Sequence, residues 1–319
     1  MTTEALRTVL VTGATGFVGS HLVEALLRQE FRVRAFDNLS TGTLDNLTTA
    51  LRHEAFTFVE GDIRDAKATQ QVCENCDIVV HLAAVTKVAE SIRNPEKYMD
   101  INVMGTQNVL AGAVHADIDR IVFASSAAVY GTPETVPIPE EASTQPLSPY
   151  GTSKLEGEQL CQTAAKDHGM QIPQLRLFNI FGPRQSTDNE AGVVSIFIDR
   201  AHHGLPLIIF GDGYQTRDFI YINDVVDTII QAATLDTMPS LPINVGTGRP
   251  VSIRELAEAV QQVIPTGSHE ILFEPPRPGD IYHSVAQIKR MQNLLLFTPA
   301  FTLYEGLIDY CKQESEAKE

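Results

Sequence analysis

Thr8-Val9-Leu10-Val11-Thr12-Gly13-Ala14-Thr15-Gly16-Phe17-Val18-Gly19 decides the fold. A β-branched run ends at three glycines, and His21 to Gln29 then follows the helical period, so the stretch reads strand, glycine turn, helix. Gly13 permits a tight turn, Gly16 lets the backbone approach a pyrophosphate at the helix N-terminus, and Gly19 lets helix and strand pack closely. A second strand, Arg32 to Phe36, ends in Asp37, at the spacing where an acid meets an adenosine ribose. Asp37 would accept from the 2′-hydroxyl and repel a 2′-phosphate, which selects NAD over NADP. An Asp before Asn38 is also a turn former.

The alternation continues through Thr57–Glu60, Gly61–Asp65 and Asp77–Ala84, which predicts an α/β protein with a doubly wound parallel sheet covered on both faces. Asp62-Ile63 and Leu82-Ala83-Ala84 fall at strand carboxyl ends, where such a sheet presents its ligand, and Asp62 is a candidate for the adenine amine. His81 lies inside an apolar strand and reads as a satisfied core histidine. Pro95 to His115 reads as one long helix, apolar on more than one side. Arg120 to Gly131 is a strand opening into a loop with Ser125 and Ser126, followed by a proline-rich excursion to Pro149.

Ser148-Pro149-Tyr150-Gly151-Thr152-Ser153-Lys154 then places a phenol and an ammonium four residues apart, on one face at the start of a helix. A tyrosine titrates near 10 in water, and making it a base at neutral pH requires about 4 kcal/mol of differential stabilisation. Lys154 is expected to supply part of that, with an oxidised nicotinamide ring as the second cation.

Composition bounds the partners. The 319 residues carry a net charge of −16 with no basic run, which argues against a nucleic-acid partner. No segment reaches the roughly eighteen apolar residues of a membrane span, and the first ten residues lack a leader pattern, so a cytoplasmic protein without membrane attachment is expected. Cys73 and Cys76 form a lone Cys-x-x-Cys without further zinc ligands and read as buried structural thiols. His202 and His203 would point to different sides of a helix, and no metal site is expected.

The residues resemble the extended short-chain dehydrogenase/reductases, and within them the UDP-sugar 4-epimerases. The resemblance rests on Gly-x-x-Gly-Phe-x-Gly, Asp37-Asn38-Leu39-Ser40, Gly61-Asp62-Ile63, His81-Leu82-Ala83-Ala84, Ser125-Ser126 before Val129-Tyr130-Gly131, and Tyr150 with Lys154. It continues through Arg176-Leu177-Phe178-Asn179-Ile180-Phe181-Gly182-Pro183-Arg184, Gly211-Asp212-Gly213 with Arg217-Asp218, Asn244-Val245-Gly246-Thr247-Gly248 and Arg277-Pro278-Gly279-Asp280. It implies an isomerase in which Tyr150 takes the proton of the sugar 4-hydroxyl while hydride leaves carbon 4 for NAD, Ser126 binds that oxygen, and a 4-keto sugar turns over before hydride returns. Cofactor contacts are implied for Gly13, Gly16, Phe17, Val18 and Gly19, for Asp37, Asn38, Ser40 and Gly42, for Asp62 and Ile63, for Leu82, Ala83, Ala84 and Thr86, and for Tyr150, Lys154 and Phe178. Arg217 and Arg277 would grip the diphosphate, with Asn179 and Asp280 beside them. Ser284, where similar enzymes differ in bulk, would leave room for a 2-acetamido group.

The implied domains are 1–181 with 218–248 for NAD, and 182–217 with 249–319 for the nucleotide sugar; the stretch after Asp218 is expected with the first, and the tail Lys312–Glu319 is expected to fray. A homodimer is expected through the Pro95–His115 helix and the helix carrying Lys154. Two departures stand out: Thr86 where some members carry Lys, and Gln287 where many carry Asp. An epimerase of a UDP-uronic acid, and a dehydratase or decarboxylase on the same scaffold, remain alternatives. The lyases need an extra acid beside the serine, where this chain has Ala127 and Ala128. A non-catalytic NAD-binding regulator is disfavoured because Ser126, Tyr150 and Lys154 are all present.

Overall fold

The computed structural model describes residues 6–188, 192–265, 270–277 and 279–316. Pro278 of the Arg277–Asp280 motif and the last three residues of the tail lie outside them. The chain packs as two compact units, 1–129 with 148–176 and 226–243, and 130–147 with 177–225 and 244–319.

In the first unit β1 (Thr8–Thr12) runs into α1 (Phe17–Arg28), β2 (Arg32–Asp37), β3 (Phe56–Glu60), α2 (Ala66–Cys73), β4 (Ile78–His81), α3 (Val88–Arg93) and α4 (Pro95–Tyr98). After α5 (Gly105–His115) come β5 (Arg120–Ser126), α6 (Pro149–His168) and β6 (Gln174–Leu177). Val9, Leu10, Val11, Ile78, Val79 and Val80 are wholly buried, as strands covered on both faces require. Cys73 and Cys76 are buried free thiols, and burial pushes them up to about 12 and about 11.

The expected Pro95–His115 helix is not a single α-helix. Between α4 and α5, Met99–Met104 is a π turn, because the polar Asn102 turns inward to bind backbone outside its own helix.

The second unit holds β7 (Asn179–Phe181), α7 (Val193–His202), β8 (Leu207–Phe210), β9 (Thr216–Arg217) and β10 (Phe219–Tyr221). α8 (Ile222–Thr234) runs mostly in the first unit, which takes 226–243, and leads to β11 (Pro242–Val245); β12 (Val251–Ser252), α9 (Ile253–Val263), β13 (Ile271–Glu274), β14 (His283–Ser284), α10 (Lys289–Leu295) and α11 (Leu303–Glu316) complete the order. These strands form small sheets of their own, β10-β7, β12-β9-β14 and β13-β8, while β11 joins the main sheet. Phe219–Tyr221 therefore pairs with Asn179–Phe181 instead of returning to the first sheet. The tail is helical through Glu316, since Leu307 and Tyr310 are buried and hold α11 down.

The main sheet has the order β11-β6-β5-β4-β1-β2-β3. From β1 the chain winds outward one way to β3 and, from β4, the other way, so the order reverses between β1 and β4. At such a reversal the carboxyl ends of the strands open a crevice for a ligand.

Candidate active site

At that reversal, Gly13 has φ +70°, and a Cβ there would stand 2.7 Å from the Ala83 nitrogen, so only glycine fits. Gly19 is closed in by the Gly13 carbonyl, which a Cβ would meet at 2.1 Å, and Gly42 by Thr15 at 2.2 Å. Gly16 differs. Its φ of −73° suits any residue, and among the described residues a Cβ there would meet just the Gly13 carbonyl oxygen, at 3.3 Å. The backbone does not demand this glycine, and packing opposes a side chain only through that one close contact. Among the described residues no side chain caps α1, whose first turn holds no acid, and none hydrogen-bonds the adjacent buried Thr15 Oγ1. An uncapped helix N-terminus with space at Gly16 fits a phosphate group.

Asp37 ends β2 with its Oδ2 accepting from the Thr15 N–H at 3.0 Å and its Oδ1 from the Leu39 N–H at 2.8 Å. It fixes the glycine turn and the loop carrying Asn38 and the exposed Ser40, and each oxygen retains a further lone pair. Asn38 Nδ2 donates to Asp62 at 2.8 Å, and the side-chain hydrogen bonds of Arg64 hold the Asp62 carboxyl well below the usual carboxylate range. Ile63 is buried and packs so tightly that a Cβ on Gly105 would lie 2.4 Å from its Cδ1.

His81 ends β4 between two threonines, its Nδ1 2.8 Å from Thr12 Oγ1 and its Nε2 2.9 Å from Thr106 Oγ1. Burial pushes it down to about 3, so it is neutral. It is the satisfied core histidine expected. The following Leu82 and Ala83 amides donate to the Thr12 carbonyl and hydroxyl, both at 3.2 Å, which seats this loop on the glycine turn. Thr86 is exposed.

Ser148 caps α6 by accepting from the Gly151 N–H at 3.1 Å, with Pro149 in the first position. The cap sets Tyr150 and Lys154 one turn apart. Lys154 is buried; its Nζ donates to the Ala124 carbonyl at 2.8 Å and lies 5.3 Å from the Phe123 ring centroid, and burial lowers it to about 8. Burial raises the Tyr150 phenol, opposed by its hydrogen bond with Ser126. The Lys154 ammonium, one turn on, is held by a carbonyl of β5. Ser126 is hydrogen-bonded with the Tyr150 phenol, and Lys154 follows one turn further along α6.

Two supports were not legible beforehand. Asn102 accepts from the Val85 N–H at 2.9 Å and donates to the Val85 carbonyl at 3.0 Å and to Ser153 Oγ at 2.9 Å, while Ser153 Oγ donates to the Tyr150 carbonyl at 2.8 Å. The Leu82–Thr86 loop is thereby tied to the head of α6. Asp100 and Asn102 inside an apolar helical run were the available signal. Beneath them Ser125 Oγ donates to Glu158 at 2.5 Å, and Arg176 holds the same carboxylate through two bonds of 2.8 and 2.7 Å, all three side chains buried.

In the second unit Arg217 pairs with Asp280 at 2.6 Å and lies in register with Ser284 across β9 and β14. Ser284 is buried. Asp218 accepts from Thr247 N and Oγ1, Gly248 N and Ala286 N, pinning three segments around Arg217. Arg277 is exposed and stacks 4.0 Å from the Phe210 ring centroid. Asn179 is exposed, whereas Phe178 is buried, its N–H bound to the Val245 carbonyl at 3.0 Å. Gln287 bonds Ile138 and Asn244 through its main chain, so the departure at this position leaves those contacts independent of the side chain. Among the described residues no group of His, Cys, Asp or Glu could hold a metal ion, and no helix is long and apolar enough to cross a membrane.

The model of the NAD dependent epimerase/dehydratase family matches residues 9–246. The chain belongs to that family. NAD is its cofactor, and the glycine turn fits it. A UDP-glucose 4-epimerase of Mycolicibacterium smegmatis is 36% identical over 312 residues, 96% of this chain and 99% of its own. The crystal structure of the Thermotoga maritima UDP-glucose 4-epimerase with UDP-glucose is 32% identical with a TM-score of 0.92, covering 98% of this chain and 100% of that one. A UDP-N-acetylglucosamine 4-epimerase of Methanobrevibacter ruminantium, in complex with UDP-N-acetylmuramic acid, matches at 33% identity and a TM-score of 0.92 over 98% of this chain and 100% of its own. Family membership and the doubly wound fold agree with the reading from sequence. The family's range extends to a UDP-glucuronic acid 4-epimerase of Bacillus cereus, 30% identical, and a UDP-glucuronic acid decarboxylase of Xenopus tropicalis, 33% identical.

Proposed function

We propose that the protein is a NAD-dependent 4-epimerase of UDP-hexoses that accepts UDP-glucose and UDP-galactose together with their 2-acetamido counterparts. The observation that carries this reading is the half-buried Ser126 against the half-buried Tyr150 phenol, with the buried Lys154 one turn on. The bound cofactor supplies the hydride acceptor and donor. Tyr150 takes the proton from the sugar 4-hydroxyl and Ser126 hydrogen-bonds that oxygen. A phenol is protonated at neutral pH and burial raises it further, so ionisation needs positive charge beside it, and Lys154 is the resident source. The α1 N-terminus and Gly16 hold the pyrophosphate; Asp37 holds the ribose and Asp62 the adenine. The sugar must turn over, so affinity belongs to the nucleotide: Arg217 and Arg277 bind the diphosphate, with Asn179 and Asp280, while the small Ser284 leaves the sugar wall open.

Elimination or decarboxylation is disfavoured by the loop after Ser126, where Ala127 and Ala128 carry no acid, and by Glu158, whose carboxylate is taken up by Ser125 and Arg176. The protein is also proposed to be a homodimer, supported by exposed Met104 and half-buried Val103 and Leu155 on the helices concerned. Light scattering at micromolar concentration would return twice the chain mass of 35.0 kDa; a value near the chain mass rejects the dimer. The function is tested by incubating the purified protein with UDP-glucose, UDP-N-acetylglucosamine and UDP-glucuronic acid and following carbon 4 by NMR. Interconversion of the first two supports the reading; conversion of the uronic acid alone, loss of water or carbon dioxide, or no change rejects it.

A further inference from the structure

Tyr98 has no part in the roles assigned above, yet the groups it touches flank the Tyr150 site. It is the last residue of α4, directly before the π turn, and its side chain is wholly buried. Its hydroxyl donates to the Lys87 carbonyl at 2.6 Å and lies 3.4 Å from Glu90 Oε2, and Lys97 holds Glu90 Oε1 at 2.6 Å. Its ring meets the Tyr150 ring edge to face, with centroids 6.4 Å apart and planes at 79°.

A core position that needed only volume would be filled equally well by phenylalanine, since a buried hydroxyl is costly unless bonded. Here the hydroxyl is bonded to the loop that continues from Leu82, Ala83 and Ala84. The backbone of α6 places the Tyr150 Cα, but the direction of the phenol still depends on its side-chain torsions. An edge-to-face neighbour that is itself anchored restricts those torsions. The π turn belongs to the same device, because it lets Tyr98 reach Lys87 while Asn102, four residues on, reaches Val85 in the same loop.

We propose that Tyr98 is a positioning residue that fixes the direction of the Tyr150 hydroxyl relative to the Leu82–Lys87 loop. This rests on the reading of Tyr150 as the base. A phenol displaced by about 1 Å costs on the order of a hundredfold in rate, while the grip on the nucleotide, made by other residues, is untouched.

Two variants separate the anchor from the ring. In Tyr98→Phe the ring remains and the tie to Lys87 is lost, so kcat for carbon-4 interconversion falls about threefold to tenfold; in Tyr98→Leu both are lost and kcat falls roughly a hundredfold. KM for the UDP-sugar stays within about twofold of wild type in both. In the crystal structure of Tyr98→Leu the Tyr150 ring is turned or split between two orientations. A kcat within about twofold of wild type in both variants, with the Tyr150 ring unmoved, overturns the proposal even where the melting temperature drops, since that is the signature of packing alone. Tyr98→Phe carries the kinetic test by itself if Tyr98→Leu does not fold. A wild type that interconverts no UDP-sugar refutes the proposed function separately, and the direction of the Tyr150 ring in Tyr98→Phe then decides this inference.

Discussion

Lys154 Nζ lies 2.8 Å from the Ala124 carbonyl oxygen, so the ammonium one turn from the Tyr150 phenol is hydrogen-bonded to the strand that ends in Ser126. That bond ties α6, which carries Tyr150 and Lys154, to β5, which ends in Ser126. The cost is a buried charge, visible in the lysine's lowered pKa.

Replacing Tyr150 by Phe removes the proton acceptor and keeps the ring against Tyr98. Turnover is expected to fall by about a hundredfold or more with NAD and nucleotide binding retained. Steady-state kinetics and the cofactor released on denaturation check this; residual turnover above about a tenth of wild type shows that another group is the base.

Lys154→Met should stabilise the NAD-stripped protein at pH 7. A lysine whose folded pKa of about 8 lies below its ordinary 10.5 destabilises the fold most fully below pH 8, and the penalty fades as pH rises toward 10.5, because the unfolded chain binds the extra proton there. The gain is on the order of 1–3 kcal/mol at pH 7, partly offset by the unpaired Ala124 carbonyl, and shrinks across that window. Melting curves of both proteins at pH 7 and pH 10 measure it; a gap that is constant with pH contradicts it.

The glycines of the first turn should fail in different ways. Gly13→Ala meets both a positive φ and the Ala83 backbone, and costs about 2–4 kcal/mol of stability. Gly16→Val has an ordinary φ and one close contact, the Gly13 carbonyl oxygen at 3.3 Å from the added Cβ, so stability changes by about 1 kcal/mol while retained NAD falls at least about tenfold. Denaturant titration beside the measured NAD content separates the two; a Gly16→Val protein that keeps its NAD removes the pyrophosphate from this site.

The strand, turn and helix at Thr8–Gly19 and the Tyr150–Lys154 spacing were legible because each is set by local chemistry: β-branched alternation, glycine where φ is positive, and a capped helix start. The Met99–Met104 π turn was not, since it forms only when Asn102 bonds a loop that tertiary structure brings beside it. The partner of Lys154 was not legible for the same reason: the spacing sets it one turn from Tyr150, but the Ala124 carbonyl that engages it belongs to another element. The pairing of Phe219–Tyr221 with Asn179–Phe181 depends likewise on contacts remote in sequence.

Ser284→Tyr tests the sugar wall. Ser284 is buried in register with Arg217, and an added aromatic ring overpacks such a position by about 1–3 kcal/mol. Catalytic efficiency on the 2-acetamido sugars should fall by at least about tenfold relative to the plain sugars. An unchanged ratio, or a wild type inert toward acetylated sugars, places the gate elsewhere.

The central claim is that one site oxidises and re-reduces carbon 4 with Tyr150 moving the proton. UDP-glucose deuterated at carbon 4 tests it most directly, with the product examined by NMR and mass spectrometry. UDP-galactose that retains deuterium at carbon 4 is the expected result; a product carrying solvent hydrogen there, or no galacto product, contradicts the account.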